Sequence, residues 1–211
     1  MPKKKKKFPL IKVKCVGSSH FTERHGLPRH LTSYMESDQN SRYVRNVDFD
    51  GVGGRLMDIN MVELVKEKMD VSVAREEPCV IVLMIGSNNI RRRGLATDIF
   101  HYFEQLVMYA SKLQRIHLIL CGMLPSPETD EFSKENFQEA SRMLQDLSKS
   151  NSTKVSFLNV AELFTYNKEI KNHLYSDGIH LTTGVDGGAH LLAKHIFIML
   201  KSLAKSKLSY N

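Results

Sequence analysis

Short apolar runs alternate with longer amphipathic stretches along the chain. The run at Val80–Ile85 is apolar at every position, as expected for a strand buried at the centre of a parallel sheet. The other short runs mix branched aliphatic residues with polar ones and are followed within two residues by Gly or Asn, which is typical of strands that lead into turns. The predicted strands are Leu10–Val16, Tyr43–Phe49, Val80–Ile85, Ile116–Cys121 and Val155–Leu158.

Between and after these strands, apolar residues recur with the 3.6-residue period of helices. No hairpin turn signal joins two strands, so the alternation predicts βαβ units and a parallel sheet covered by helices on both faces. In such sheets, sites collect at the carboxyl ends of the strands. The predicted helices are Thr22–Met35, Leu56–Met69, Thr97–Leu113, Glu135–Leu147 and Gly184–Leu203.

The composition fits one α/β domain. With 211 residues, 42% of them hydrophobic and 25% charged, the chain is long enough to bury a sizeable core. We predict a domain at residues 10–203, with a basic tail at 1–9 and a basic C-terminal tail at 204–211. No stretch reaches the length of a membrane span, and the apolar Phe8–Ile11 is too short for a signal peptide. We therefore expect an intracellular protein, cytoplasmic or nuclear, that is not secreted.

Charge and cysteines refine this picture. The net charge of +7 owes much to one run, Lys3, Lys4, Lys5, Lys6 and Lys7. Such a run is either a solvated arm or a nuclear-localisation or nucleic-acid-binding segment. The three cysteines, Cys15, Cys79 and Cys121, lie in or beside apolar runs and predict buried, reduced thiols. No Cys/His cluster has zinc-ligand spacing, so we predict no metal site.

Residues that could take part in catalysis follow the predicted strands. Ser19 follows the first strand, Gly51–Gly54 the second and Asn88 the third, whereas Asp177 and His180 lie near the C-terminus, three residues apart. A carboxylate beside an imidazole can orient it as a base for a serine hydroxyl. Glycine backbone N–H groups and an asparagine amide are donors suited to an oxyanion.

Each stretch alone also has an ordinary structural interpretation. Ser19 or its neighbour can cap a helix, and Asn88 and the Asp177–Gly178 pair are common in turns. Gly51–Gly54 is either a tight turn or a phosphate loop, although it lacks both the dinucleotide fingerprint and the Lys-Ser/Thr of a P-loop. Gly17–Phe21 is not a G-x-S-x-G elbow, which argues against the α/β-hydrolase family.

Together, and in this order, the stretches resemble the four blocks of the SGNH, or GDSL-type, hydrolase superfamily. The blocks are a Ser in G-D-S, a Gly, an Asn in G-x-N-D, and D-x-x-H. They correspond here to Ser19, Gly54, Asn88, and Asp177 with His180. The resemblance covers nearly the whole chain. It implies a three-layer α/β/α fold with a flavodoxin-like, five-stranded parallel sheet in the order 2-1-3-4-5.

The resemblance also implies a serine esterase or acylhydrolase that forms an acyl-serine intermediate without metal or cofactor. Ser19 would be the nucleophile, His180 the base, and Asp177 the residue that orients it. The backbone N–H groups of Ser19 and Gly54 and the Asn88 amide would hold the oxyanion. The substrate would be a small or lipid-like acyl ester, and a homodimer is possible by analogy with the family.

Two positions depart from the family pattern. Ser18 stands where G-D-S has an aspartate, and Asn89 where G-x-N-D has one. Neither position holds the nucleophile or the base, so the chemistry is retained. The G-x-N-N variant, followed later by Leu124-Pro125, is similar to the intracellular platelet-activating-factor acetylhydrolase branch and points to small acyl groups.

A second class of function stays open. SGNH-like domains occur in the insect Oskar protein, where the catalytic set is lacking and RNA is bound, and in proteins of some retrotransposons. The lysine run at residues 3–7 and a second basic run, Arg91, Arg92 and Arg93, fit an RNA-binding or scaffold domain. The retained Ser, Asp and His argue against a purely binding role. The other histidines, including His20 and His25, are interpreted as structural or surface residues, and His20 is also a possible substrate contact.

Overall fold

The computed structural model describes residues 10–37 and 44–206. The predicted basic tail at residues 1–9, the start of the second predicted strand at Tyr43 and the last five residues lie outside these ranges. The strands are β1 (Ile11–Gly17), β2 (Val44–Gly51), β3 (Cys79–Met84), β4 (Ile116–Cys121), β5 (Val155–Leu158), β6 (Thr165–Tyr166) and β7 (Glu169–Ile170). The helices are α1 (Leu27–Glu36), α2 (Ile59–Ala74), α3 (Ser87–Arg91), α4 (Ala96–Lys112), α5 (Glu131–Ser150), α6 (Val160–Phe164) and α7 (Gly188–Ser206).

Within the described ranges, strands β1 to β5 form one parallel sheet in the order β2-β1-β3-β4-β5. This confirms the strand order predicted from the resemblance. The order reverses between β1 and β3, the place where parallel sheets open a crevice at their carboxyl edge. Gly17 at the end of β1 pairs with Gly51 of β2 and Met84 of β3, so these three strands end side by side.

The sheet separates two apolar cores in the described chain. Strand β3 is buried at every position, and its residues alternate between the cores: Val80 and Val82 face α1 and α7, whereas Ile81 and Leu83 face α2, α4 and α5. Successive side chains of a strand point to opposite faces, so only a strand covered on both sides is apolar throughout. The resulting α/β/α layers confirm the predicted fold class.

Capping residues explain where two of the helices begin. The Asp58 carboxylate accepts a hydrogen bond from the Met61 N–H at 2.9 Å, and Asp130 accepts one from the Ser133 N–H at 2.9 Å. Each satisfies a backbone donor that the first turn of a helix leaves unpaired. Because of the Asp130 cap, α5 begins at Glu131, four residues before the predicted start at Glu135.

The ends of the chain's first and last helices differ from the prediction. The predicted helix from Thr22 is interrupted at Gly26, whose φ of +75° is left-handed, so α1 begins only at Leu27 and short 3₁₀ turns precede it. The closing helix α7 begins at Gly188 and continues to Ser206. It therefore includes Ala204, a buried residue that the sequence assigned to the C-terminal tail.

One hairpin joins two short strands that the sequence pattern did not predict. The two-residue strands β6 and β7 pair antiparallel through a turn at Asn167 and Lys168. Both turn residues have left-handed φ values, +49° and +68°, as in type I′ turns. Such turns usually carry glycine in the second position, so Asn-Lys gives no recognisable signal.

The cysteines lie on three adjacent strands of the sheet. Cys15 in β1, Cys79 in β3 and Cys121 in β4 are at most 1% exposed, which confirms their predicted burial. Desolvation raises the pKa of all three thiols, that of Cys121 to about 12. Among the described residues, no helix is both long enough and apolar enough to cross a bilayer.

Candidate active site

The topology brings three loops to one edge of the sheet. The Val52 N–H donates to the Gly17 carbonyl at 3.2 Å, and the Ser18 N–H donates to the Met84 carbonyl at 3.3 Å. These bonds connect the loops that leave β1, β2 and β3. A Cβ at Gly17 would lie 2.3 Å from the Met84 carbonyl oxygen, so only glycine permits so close an approach.

Ser19, His180 and Asp177 form a continuous hydrogen-bonded group, here called the Ser–His–Asp chain. Ser19 Oγ lies 3.1 Å from His180 Nε2, and His180 Nδ1 lies 2.7 Å from Asp177 Oδ2. Serine and histidine come from loops 161 residues apart in sequence. Ser19 opens the 3₁₀ turn that follows β1, where its side chain is half-buried. The structure thus brings together the three residues that the sequence singles out.

The second Asp177 oxygen is held by the backbone. Oδ1 accepts hydrogen bonds from the N–H groups of Ile179 at 3.0 Å and His180 at 2.6 Å. Bonds from the His180 backbone and ring, with that from Ile179, hold the pKa of Asp177 far below its usual value, although the side chain is exposed. The carboxylate therefore stays ionised and fixed beside the imidazole.

Residues Tyr175–Leu181, here called the Asp–His loop, are braced by the segment that follows β4. The Tyr175 hydroxyl donates to the Pro125 carbonyl, and the Ser126 hydroxyl donates to the Gly178 carbonyl. Gly178 has a left-handed φ of +75°, and a Cβ there would lie 2.6 Å from Glu128 Cγ. The turn that places Asp177 three residues before His180 therefore requires glycine.

Gly54 and Asn88 lie at the ends of the neighbouring strands. The Asn88 side-chain amide donates to the Arg55 carbonyl at 3.0 Å, which ties the loop after β3 to the residue following Gly54. Gly54 is exposed and has a left-handed φ of +73°. Primary amides carry two N–H donors, so this bond orients the Asn88 side chain and leaves its second N–H for another acceptor.

The departure at Asn89 has a structural reason. Its Oδ1 accepts a hydrogen bond from the Met57 N–H at 2.8 Å, and its Nδ2 donates to the Met57 carbonyl at 2.9 Å. A carboxylate can make only the first of these bonds. Asn89 thus hydrogen-bonds to both the N–H and the carbonyl of Met57, in the loop after β2. At the other departure, the Ser18 side chain makes no capping hydrogen bond to the turn that follows.

Comparison with known proteins places this geometry in a family. The sequence profile of the GDSL-like lipase/acylhydrolase family matches residues 15–184, a range that includes Ser19, Gly54, Asn88, Asp177 and His180. The chain belongs to this family. No curated protein matches the sequence at a significant level.

Solved structures share the fold at low sequence identity. Axe2, an acetylxylan esterase from Geobacillus stearothermophilus, superposes with a TM-score of 0.67 at 14% identity, over 92% of this chain and 96% of its own. A member of the lipolytic protein G-D-S-L family from Veillonella parvula gives 0.68 at 14% identity, over 89% and 97%. A Streptococcus pneumonia protein whose name refers to platelet activating factor gives 0.63 at 20% identity, over 91% and 84%.

Two further histidines of this family member surround His180. The His25 ring is stacked on the His180 ring with centroids 4.1 Å apart and planes 7° apart. The His20 ring is buried, with its centroid 5.7 Å from that of His180, and its Nε2 has no hydrogen-bond partner among the described residues. Desolvation lowers the pKa of His20 to about 3, with smaller contributions from His180 and His25, so this ring is neutral.

No pattern in the sequence indicates that His25 lies beside His180. Its position six residues after Ser19 carries no motif, and only the irregular 3₁₀ path after β1 turns its ring toward His180. The one available signal was a histidine in the same strand-end loop as the serine. The buried ring of His20 agrees with its interpretation as a structural residue.

The side chains of Arg91, Arg92 and Arg93 each have different neighbours. Arg91 is half-buried with its guanidinium 5.9 Å from the centre of the Phe137 ring, and desolvation lowers its pKa. Arg92 approaches Gly54, and Arg93 pairs with Asp130 at 2.8 Å. This argues against the three side chains acting as one anion-binding surface. Lys3–Lys7, which were predicted to contact nucleic acid, lie outside the described residues. Nucleic-acid binding therefore stays a prediction.

A cavity of about 490 Å³ adjoins the support of the Asp–His loop. Its wall includes Pro125 and Ser126, which bond to that loop, but none of the three residues of the Ser–His–Asp chain. The site chemistry therefore lies outside this cavity. Among the described residues, no group of three or more His, Cys, Asp or Glu side chains is arranged to hold a metal ion.

Proposed function

We propose that the protein is a serine esterase that cleaves a small or lipid-like acyl ester through an acyl-serine intermediate. The observation that carries the proposal is the Ser–His–Asp chain, with 3.1 Å between Ser19 Oγ and His180 Nε2 and 2.7 Å between His180 Nδ1 and Asp177 Oδ2. Because the Nδ1 proton faces an ionised carboxylate, Nε2 is the nitrogen free to accept the serine proton. Membership of the GDSL-like lipase/acylhydrolase family supports the same chemistry.

In the first half-reaction, Ser19 Oγ attacks the ester carbonyl carbon while its proton moves to His180 Nε2. The carbonyl π electrons move to oxygen and form a tetrahedral oxyanion. Asp177 stabilises the imidazolium, since its backbone hydrogen bonds keep it ionised. When the oxyanion collapses, the ester C–O bond breaks, the imidazolium gives its proton to the leaving alcohol, and the acyl group remains on Ser19.

In the second half-reaction, water takes the place of the serine hydroxyl. His180 Nε2 accepts a proton from the water as its oxygen attacks the acyl carbon, and then returns that proton to Ser19 Oγ as the carboxylic acid leaves. We assign the oxyanion to the backbone N–H groups of Ser19 and Gly54 and to the Asn88 amide. Loss of one such donor typically lowers the rate by about 10²- to 10³-fold.

The experiment compares wild type, Ser19→Ala and His180→Ala in hydrolysis of p-nitrophenyl acetate and in labelling by a fluorophosphonate probe. Wild type should hydrolyse the ester and be labelled at Ser19, and Ser19→Ala should lose both. Ser33→Ala, which removes an exposed serine of α1, is the matched control and should keep both. Thermal melts followed by circular dichroism show whether each variant is folded.

Wild-type protein that neither turns over the ester nor takes up the probe would contradict the proposal. So would Ser19→Ala with undiminished labelling. The RNA-binding alternative would then lead. It predicts an affinity for RNA that falls steeply with salt and drops when Lys3–Lys7 are deleted.

A further inference from the structure

Three imidazoles meet beside Ser19. The His25 and His180 rings are stacked 4.1 Å apart with their planes only 7° from parallel, and the His20 ring lies 6.3 Å from His25 and 5.7 Å from His180. His20 and His25 both belong to the 3₁₀ turns that follow the serine. The base of the proposed reaction thus contacts other groups of the same chemical type.

The stack covers one face of the His180 ring and leaves its two nitrogens accessible for hydrogen bonds in the ring plane. Hydrogen bonds to an imidazole lie in the plane of the ring, and both nitrogens of His180 use that plane, one toward Ser19 and one toward Asp177. His25 covers a face instead. A ring packed flat against that face restricts rotation of His180 about the bond to its ring, the motion that would separate Nε2 from Ser19.

We propose that His25 is a positioning residue, which holds His180 against Ser19 while its own ring is neutral and releases it when its own ring is protonated. The proposal deepens the proposed esterase function and rests on it. His25 touches His180 and is not assigned to the substrate or to the reacting atoms.

The charges around the pair explain why protonation of His25 is disruptive. The groups that face His25 are His20 and Arg24 from its own segment and His180 and Asp177 from the Asp–His loop. During the reaction His180 becomes an imidazolium, and Asp177 supplies one negative charge to balance it. A second cation stacked at 4.1 Å has no further carboxylate among these neighbours, so it repels the imidazolium that the reaction needs.

At neutral pH the pair is in its working state. Desolvation, His180 and Arg24 lower the pKa of His25, against an opposing effect of Asp177. The ring is therefore neutral near pH 7 and takes up a proton only as the pH falls.

The test uses His25→Phe, which keeps a flat ring but cannot be protonated, and His25→Ala, which removes the ring. Values of kcat and KM for p-nitrophenyl acetate are measured from about pH 5 to about pH 8. His25→Ala should lower kcat by about tenfold to a hundredfold with KM unchanged, since small misplacement of a catalytic group costs that much. His25→Phe should keep kcat near pH 8, and its kcat should fall less than that of wild type as the pH is lowered, because the phenyl ring cannot take up a proton.

The matched control is His101→Phe, the same exchange at an exposed histidine of α4. NMR titration of the imidazole resonances gives a readout that needs no activity. In wild type the His25 signal should titrate below the usual range of histidine, and in His180→Ala it should move back toward that range. An inactive, unlabelled wild type would overturn the esterase function, whereas the NMR titration would still decide whether the stack couples the rings.

Three outcomes would overturn the proposal. The first is that His25→Ala and His25→Phe both keep the wild-type kcat and pH profile. The second is that the His25 signal titrates at the same pH in wild type and in His180→Ala. The third is a His101→Phe profile changed as much as that of His25→Phe, which would make the effect non-specific.

Discussion

Replacing Asn89 with aspartate restores the acid of the family's G-x-N-D block and tests what the amide does in this chain. The side chain keeps its shape and still accepts a hydrogen bond from the Met57 N–H, now 2.8 Å from Oδ1. The Nδ2 donor is replaced by an oxygen facing the Met57 carbonyl across 2.9 Å. One hydrogen bond is therefore exchanged for a repulsive contact between two oxygens.

The size of the effect follows from these two contacts. A lost neutral hydrogen bond costs about 1 kcal/mol, and a polar group left without its partner costs about 1–3 kcal/mol more when fully buried. Because Asn89 is only half-buried, we expect a total near the lower end, about 2 kcal/mol at pH 7. For a chain of this length that corresponds to a fall in Tm of about 4–8 °C.

The same substitution makes stability depend on pH. The facing carbonyl disfavours the ionised carboxylate, so the pKa of the introduced acid is higher in the folded than in the unfolded state. The folded state then binds more protons between the two values, and stability is lost as pH rises through that window. Below about pH 4 the protonated acid can donate to the Met57 carbonyl, and the loss should disappear.

Urea unfolding of wild type and Asn89→Asp at pH 7 and near pH 4 measures both effects. The control is Asn60→Asp, the same exchange at an exposed site in the first turn of α2, where a negative charge is neutral or slightly stabilising. Equal stability of Asn89→Asp and wild type at pH 7 would refute the reasoning. So would a loss that is the same at both pH values.

Three further predictions concern the same edge of the sheet. Asp177→Asn should lower ester hydrolysis by about 10⁴-fold without unfolding the protein, because an amide facing Nδ1 favours the wrong tautomer of His180. Gly178→Ala should lower the free energy of unfolding by at least about 1–2 kcal/mol, the cost of a left-handed residue, whereas Gly184→Ala, with open space around its Cβ, should not. The free energy of unfolding of wild type should decrease as the pH is lowered from about 6.5 to about 3, because His20 binds a proton in the unfolded chain but not in its buried position. His20→Leu should remove this contribution to the pH dependence.

Strong local patterns made the fold predictable. The uninterrupted apolar run at Val80–Ile85 requires a strand covered on both faces, and the alternation around it leaves few topologies other than a doubly covered parallel sheet. The residues of the Ser–His–Asp chain could be found because each one follows a strand or sits in a short recognisable block. Their meeting across 161 residues also requires the Asp–His loop to be held by the segment that follows β4.

The features that sequence did not reveal depend on backbone geometry without a local signature. The hairpin at Asn167 and Lys168 needs left-handed residues that are not glycine. The His25 stack depends on a 3₁₀ path of six residues, and the pairing of Asn89 with Met57 depends on two loops that only the sheet brings together. Periodicity describes elements, whereas these contacts belong to the segments between them.

Alkylation of the buried thiols can measure how often the covered faces of the sheet become exposed to water. Cys15, Cys79 and Cys121 lie on β1, β3 and β4, three adjacent strands, and burial keeps them in the unreactive thiol form. An alkylating reagent reacts with the thiolate, so it modifies these residues only when the helices that cover the sheet move away from it or the domain unfolds. The rate of alkylation under native conditions therefore measures how often the covered faces of the sheet are transiently exposed, and no label has to be introduced.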